Sequence, residues 1–190
     1  MNYRLEICGN IASGKTTLCQ SVKNNNIQAV FEDFKSNPFY EAFYQNPQAY
    51  SFETELTFLL QHYHAIKLHP QGECFACDYS MLQDMAYADV NLTGSQHHIF
   101  FEVVHEIQRE IGHPQTIIYL TCPEDILLER IIARSREAET SITIDYLKAL
   151  AGALSARVKS VSSQTNVISI KSDLVDFRSG IGNIPEFARL

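Results

Sequence analysis

The chain has 190 residues, of which 45% are hydrophobic and 19% charged, with a formal net charge of −7. That size supports one domain that buries roughly 70% of its unfolded surface, and the acidic balance argues against a nucleic-acid polymer as the main partner. No apolar run reaches the roughly 18 residues of a membrane span, and a strand entered by about residue 4 leaves no room for a signal peptide, so no membrane partner and a cytoplasmic location are expected.

The first predicted element is a short buried strand, Arg4–Cys8. It runs into Gly9-Asn10-Ile11-Ala12-Ser13-Gly14-Lys15-Thr16, which fits G-x-x-x-x-G-K-[ST] without a mismatch. Thr17 continues into a helix predicted over about 15–23. Strand, glycine loop and helix are the context that makes this motif a phosphate site. Gly9 and Gly14 let backbone N–H groups turn inward around an anion, and the helix start adds its positive dipole end. Lys15 can reach the β- and γ-phosphates, and the Thr16 hydroxyl can ligate Mg²⁺. The expected ligand is therefore ATP with Mg²⁺.

Further strands are predicted at Gln28–Phe31, Glu73–Cys77, Thr116–Thr121 and Asn166–Ile170. Helices are expected over about 37–45, 48–68, 80–111 with a possible break at Gly94, 124–135 and 143–160. Strands separated by helices imply right-handed βαβ units and a parallel sheet, with ligands at the carboxyl ends of the strands. The five cysteines, Cys8, Cys19, Cys74, Cys77 and Cys122, are read as reduced. Cys74 and Cys77 have no second pair at zinc spacing. One domain over 1–190 is expected, with a short lid at about 134–141.

Chemistry is then sought after each strand. Glu32 follows the second strand and is the candidate base for an acceptor hydroxyl, or else a solvated turn acid. Asp78 ends the third strand, where it would face Mg²⁺ or its water shell, or cap the helix that begins near Ser80. Arg130 and Arg134 share a helix face and Arg136 lies just beyond, so together they form either a basic lid over a triphosphate or a solvated helix end. On helix 48–68, Phe52, Leu56, Leu59, Leu60 and Tyr63 follow the spacing of a core face. Glu55 falls on the same side, either reading a ligand or sitting in water at the stripe's edge.

With these residues in hand the chain resembles the deoxynucleoside kinase family, especially bacterial deoxyguanosine and deoxyadenosine kinases. The resemblance runs from about residue 3 to 175. It rests on the glycine loop, Phe31-Glu32, Asn37-Pro38-Phe39, Phe43-Tyr44-Gln45-Asn46-Pro47, Asp78-Tyr79-Ser80 with Asp84, and Pro123 leading to Glu129-Arg130-Ile131, Arg134-Ser135-Arg136, Glu139 and Tyr146-Leu147. It implies a three-layer α/β P-loop kinase with five parallel strands, usually a homodimer, that phosphorylates the 5′-hydroxyl of a deoxynucleoside. By position, Glu32 is the activating base, Tyr44 and Glu139 hold the 3′-hydroxyl, Arg130, Arg134 and Arg136 form the lid, and Phe52 lines the substrate cleft.

Three departures from the family pattern stand out. Tyr79 replaces an arginine expected beside the 5′ oxygen, Asp33 replaces a proline after the base, and Glu55 replaces a glutamine that pairs with the nucleobase. An ionised carboxylate only accepts hydrogen bonds, and guanine offers two adjacent donors, N1–H and N2–H. Glu55 therefore predicts a preference for a guanine-bearing substrate or an unusual amino-bearing one. Two other readings remain: a nucleoside-monophosphate or other small-metabolite kinase, and a nucleotide-binding regulatory protein without catalysis, which the missing arginine at Tyr79 allows.

Overall fold

The computed structural model describes residues 3–23, 27–69 and 73–180. The strands are β1 (Tyr3–Gly9), β2 (Gln28–Val30), β3 (Cys74–Cys77), β4 (Thr116–Thr121) and β5 (Asn166–Lys171). The helices are α1 (Lys15–Lys23), α2 (Tyr40–Gln45), α3 (Pro47–Lys67), α4 (Met81–Asn91), α5 (Gly94–Ile111), α6 (Glu124–Arg134) and α7 (Ile144–Val161). The strands form one five-stranded sheet in the order β2-β3-β1-β4-β5. Every pairing is parallel.

Strand alternation sends successive side chains to opposite faces. Leu5 and Ile7 of β1, with Ile118 and Leu120 of β4, pack against Leu18 and Val22 of α1. Cys8 and Ile117 face the other way, into the cluster holding Leu59, Met85, Phe100 and Leu154 from α3, α4, α5 and α7. The sheet is thus the middle of three layers. Because β1 is flanked by β3 on one side and β4 on the other, the loop after it lies where the chain's winding reverses. That crevice is where open α/β sheets bind ligands.

Local chemistry sets the element ends. Pro47 opens α3 at a position where its missing N–H is not needed. Ser80 caps α4 by accepting from Leu82 N at 3.2 Å, so the cap is Ser80 and not Asp78. The predicted helix over 37–45 starts only at Tyr40. Pro38 disfavours a helical Asn37, and the Asn37 side chain instead accepts from Phe39 N at 3.0 Å and donates to Thr54 O at 3.1 Å. The predicted helix over 80–111 is two helices, with extended Leu92 and Thr93 between them.

The buried stripe of α3 is rotated from the predicted one. It runs through Ser51, Glu55, Leu59, His62 and Ile66, while Leu60 is 45% exposed. Phe52, Leu56 and Tyr63 are half-buried flanks of the core. A stripe drawn from apolar residues alone passes over the polar ones that face the site.

Candidate active site

The glycine loop closes on itself at the carboxyl end of β1. Gly14 has φ +98°, a conformation that favours glycine. A Cβ on Gly9 would lie 2.6 Å from Ser13 Oγ and 2.9 Å from Leu120 O, so the loop packs there against β4 with no room for a side chain. The Asn10 side chain donates to Leu147 O at 2.8 Å and accepts from Ile11 N at 2.8 Å, tying the loop to α7. Lys15 Nζ bonds the Gly9 and Asn10 carbonyls at 3.0 and 3.1 Å. Burial pulls Lys15 below its ordinary value, against the opposing pull of Glu32 and Asp78.

Asp78 gathers the ends of three strands. Its Oδ2 accepts from Thr16 Oγ1 at 2.7 Å, and its Oδ1 accepts from the Glu32 N–H at 2.6 Å. Burial raises Asp78 above the usual carboxylate range, although both of those bonds favour its charge. Glu32 is opposite in balance. Burial pushes it up, but His62, Lys15 and Arg136 outweigh that and hold it below its ordinary value. Glu32 is thus an ionised acceptor at neutral pH, 29% exposed at its side chain.

The arginines converge on the same edge. Arg130 donates to Ser172 O at 3.1 Å and to Ala12 O at 3.4 Å, joining the end of β5 to the glycine loop. Arg134 and Arg136 both grip Glu139, which lies in a short 3-10 turn at Glu137–Ser141. Arg134 Nε approaches Glu139 Oε2 at 2.7 Å, and Arg136 Nη1 approaches Oε1 at 3.3 Å. The Arg136 guanidinium lies 4.1 Å from the centroid of the Phe34 ring. Tyr40 completes the cluster by donating its hydroxyl to Glu139 Oε1 at 2.7 Å.

Lys15, Thr16, Glu32, Asp78, Tyr40, the three arginines and Glu139 open on one cavity of about 770 Å³. Its far wall is α3. Glu55, 4% exposed, reaches into the cavity and accepts from Asn91 Nδ2 at 2.7 Å. Burial pushes its carboxyl up to about 8, with Asp84 and Glu32 adding repulsion and Asn91 opposing. Two turns further on, His62 lies between Asp84 and Glu32. One end of the cavity is thus lined by phosphate-loop amides and arginines, and the other by aromatic rings and carboxyls.

The deoxynucleoside kinase family model matches residues 5–186. The chain belongs to the deoxynucleoside kinase family. It is an enzyme that phosphorylates deoxynucleosides at the expense of ATP. Among relatives, it is 26% identical to deoxyguanosine kinase of Bacillus subtilis (strain 168), over 98% of this chain and 93% of that protein. It is 27% identical to deoxyadenosine kinase of Dictyostelium discoideum, over 90% of this chain and 74% of that protein. The solved structure of deoxyadenosine kinase from M. mycoides with bound dCTP superposes with a TM-score of 0.85 at 18% identity, covering 98% of each chain. The expected P-loop kinase fold is the observed one.

The kinase cavity gathers most of the predicted site. Ala12, Ser13, Gly14, Lys15, Thr16 and Thr17 line one end. Glu32, Tyr44, Glu55, Asp78, Arg130, Arg134, Arg136 and Glu139 line the rest. Four predicted positions do not line it. Gly9 lies behind the loop, and the Asn10 side chain is used up on α7. Phe52 packs into the core beside the sheet, on the side of α3 away from the cavity, where Phe58 lines the cleft in its place. Tyr79 is buried beneath the His62 ring, with ring centroids 3.9 Å apart.

Sequence reasoning passed over polar groups on the cavity wall, Tyr40, Thr54, Gln83 and Tyr87 among them, and also His62 and Asn91, which bond Glu32 and Glu55 from behind. The hydroxyl on Glu139 belongs to Tyr40, with Tyr44 edge-on to the Tyr40 ring at 5.3 Å. The i, i+4 relation of Tyr40 to Tyr44 is the signal that could have found it, since both fall on one helix face. For His62 the signal was its spacing of seven from Glu55 on the same helix.

Proposed function

We propose that this kinase transfers the γ-phosphoryl group of ATP to the 5′-hydroxyl of a purine deoxynucleoside, with guanine the preferred base where the Glu55 carboxyl is ionised. The phosphates sit in the glycine loop, where backbone N–H groups and Lys15 balance their charge. The acceptor hydroxyl faces Glu32, which is ionised and accepts its proton. As that oxygen bonds to the γ-phosphorus, the bond from phosphorus to the β,γ-bridging oxygen breaks and ADP leaves. Arg130, Arg134 and Arg136 offset the charge on the transferring group, with the segment 134–141 as a lid of the single kinase domain. Glu139 and Tyr44, with Tyr40, hold the 3′-hydroxyl.

The donor set at Thr16 and Asp78 suits Mg²⁺. Two hard oxygens lie within 2.7 Å of each other at the loop. Among the described residues no cluster of three or more His, Cys, Asp or Glu could enclose an ion. Mg²⁺ favours such sparse sites, completing its shell with phosphate oxygens and water. When bound it would neutralise phosphate charge.

The base preference rests on one observation, the buried Glu55 carboxyl on the cavity wall. Ionised, it accepts from both guanine donors. Neutral, it offers one donor and one acceptor, as a glutamine does, and then suits adenine. The similarity to a deoxyguanosine kinase supports the first reading. A homodimer is inferred from the resemblance, and a reducing cytoplasm from five unpaired cysteines. No helix among the described residues is long and apolar enough to cross a membrane. The deciding experiment is ADP release from Mg-ATP with a panel of nucleosides and deoxynucleosides. At pH 8.5, where Glu55 is mostly ionised, stimulation greatest with deoxyguanosine is expected; no stimulation by any nucleoside, with ATP still bound, would overturn the proposal.

A further inference from the structure

His62 is a buried ring with a carboxylate at each nitrogen. It is 3% exposed. Nδ1 lies 3.0 and 2.9 Å from the two oxygens of Asp84, and Nε2 lies 3.2 Å from Glu32 Oε1. Carboxylates accept hydrogen bonds, so both nitrogens must donate for both contacts to be favourable, and only the imidazolium has two N–H groups. A neutral ring would leave one carboxylate facing a lone pair in a buried place.

The surroundings fix the ring. Tyr79, at the end of β3, stacks flat on one face with an interplanar angle of 8°, and Phe58 of α3 stacks at 5.9 Å. Asp84 comes from α4 and Glu32 from the segment after β2. Glu55, on the same helix as His62, carries a carboxyl that burial keeps largely protonated. Burial likewise drives the Tyr79 hydroxyl far above its ordinary value, so it brings no charge. The charges of Lys15 and Arg136 also act on Glu32 and lower it further. Burial opposes the charged ring, but Asp84 and Glu32 outweigh it and raise His62 to about 10.

We propose that His62 is a positioning residue of this kinase: held as an imidazolium by Asp84, it fixes the orientation of Glu32, leaving Oε2 to meet the acceptor hydroxyl. The inference rests on Glu32 being the acceptor of the hydroxyl proton. Asp84 orients His62, His62 orients Glu32, and the three come from α4, α3 and the loop after β2. The order of the chain does not bring them together. A bifurcated bond from Nδ1–H to both Asp84 oxygens, with Tyr79 stacked on the ring, leaves it little freedom to swing, so Glu32 is anchored through its Oε1. Misplacing a reacting group by about 1 Å can cost on the order of 100-fold in rate.

Two measurements on the full chain test this. In the ¹⁵N spectrum of histidine-labelled protein, His62 should carry protons on both ring nitrogens at pH 8, where an unperturbed ring is neutral. Asp84→Asn should abolish that signature. In steady-state kinetics His62→Leu should lower kcat roughly 10- to 100-fold, with the KM for ATP and nucleoside within about threefold. His62→Gln, which keeps one donor for Glu32, should recover part of that loss. ATP-binding titration gives the folded fraction of each variant, so misfolding is separated from loss of turnover. A neutral His62 ring at pH 8, or His62→Leu turnover within twofold of the unaltered chain, overturns the proposal. If the unaltered chain shows no nucleoside-dependent turnover, it is the reaction assigned to Glu32 that fails, and the role of His62 with it.

Discussion

The buried Glu55 carboxyl makes base choice depend on pH. Burial pushes it up to about 8, so in the free enzyme it is mostly neutral at pH 6.5 and mostly ionised at pH 8.5. A guanine-bearing nucleoside presents two donors and requires the ionised form, whereas an adenine-bearing one presents a donor and an acceptor and requires the neutral form. The ratio of ionised to neutral carboxyl changes tenfold per pH unit, about 1.4 kcal/mol each. The ratio of kcat/KM for deoxyguanosine over deoxyadenosine should therefore rise on the order of 100-fold between pH 6.5 and 8.5. Other titrating groups act on both substrates alike and cancel in that ratio. Glu55→Gln fixes one donor and one acceptor, so the ratio should become flat with pH. At pH 8.5 the variant should also lose deoxyguanosine preference, because one guanine donor then faces an N–H, an unsatisfied buried group worth about 1–3 kcal/mol, or roughly 5- to 150-fold. The assay is initial rate against nucleoside concentration by coupled ADP release. A flat ratio in the unaltered chain, or an unchanged ranking of substrates in Glu55→Gln, refutes the reasoning.

Glu32→Gln removes the proton acceptor but keeps the side chain's size, so kcat should fall about 10²- to 10⁴-fold; ATP affinity, measured by calorimetry, should stay within about twofold, and equal loss of both would count against the assignment. Tyr40→Phe deletes the hydroxyl that donates to Glu139 at 2.7 Å, so the nucleoside KM should rise about tenfold, a charge-assisted bond being worth about 1.5–3 kcal/mol. Tyr44→Phe, with no such bond to Glu139, should raise it less, and the reverse order would assign the 3′-hydroxyl contact to Tyr44 alone. Gly9→Ala places a Cβ 2.9 Å from the Leu120 carbonyl, so the loop must shift; thermal unfolding should show a loss of about 1–3 kcal/mol together with weakened ATP binding. An unchanged melting temperature would show that the loop relaxes freely.

Much of the fold was legible because it is repetitive. β1, β4 and β5 fall within a residue of their predicted bounds, since each is a short run of continuous or alternating apolar residues. The two-helix break near Gly94 was visible as a weak point, and the cap at Ser80 follows ordinary helix chemistry. The rotation of the α3 stripe was not legible. Periodicity counts apolar residues, and the side of α3 facing the cavity is built from Thr54, Glu55 and Phe58, of which two are polar. Phe52 was assigned to the cleft by position, yet a rotation of a few tens of degrees about the helix axis sends it into the core. Tyr79 was read as a substrate neighbour with a charge missing; the fold instead stacks it beneath His62, where it touches no part of the cavity.

By itself the sequence determined the phosphate site and the parallel sheet that carries it, because glycine-loop geometry and strand periodicity are local properties of neighbouring residues. It also placed carboxylates and arginines at the correct edge of the sheet. What only the tertiary structure decided is who meets whom across that edge. Thr16 from the start of α1, Glu32 from the segment after β2 and Asp78 from the end of β3 join one another. Tyr40 and two arginines share Glu139. His62 is wedged between acids from two other elements. Such contacts depend on helix rotation and burial, and burial is what sets the charge on Glu55, Glu32 and His62. A residue's identity names its possible protonation states; the packing around it selects one.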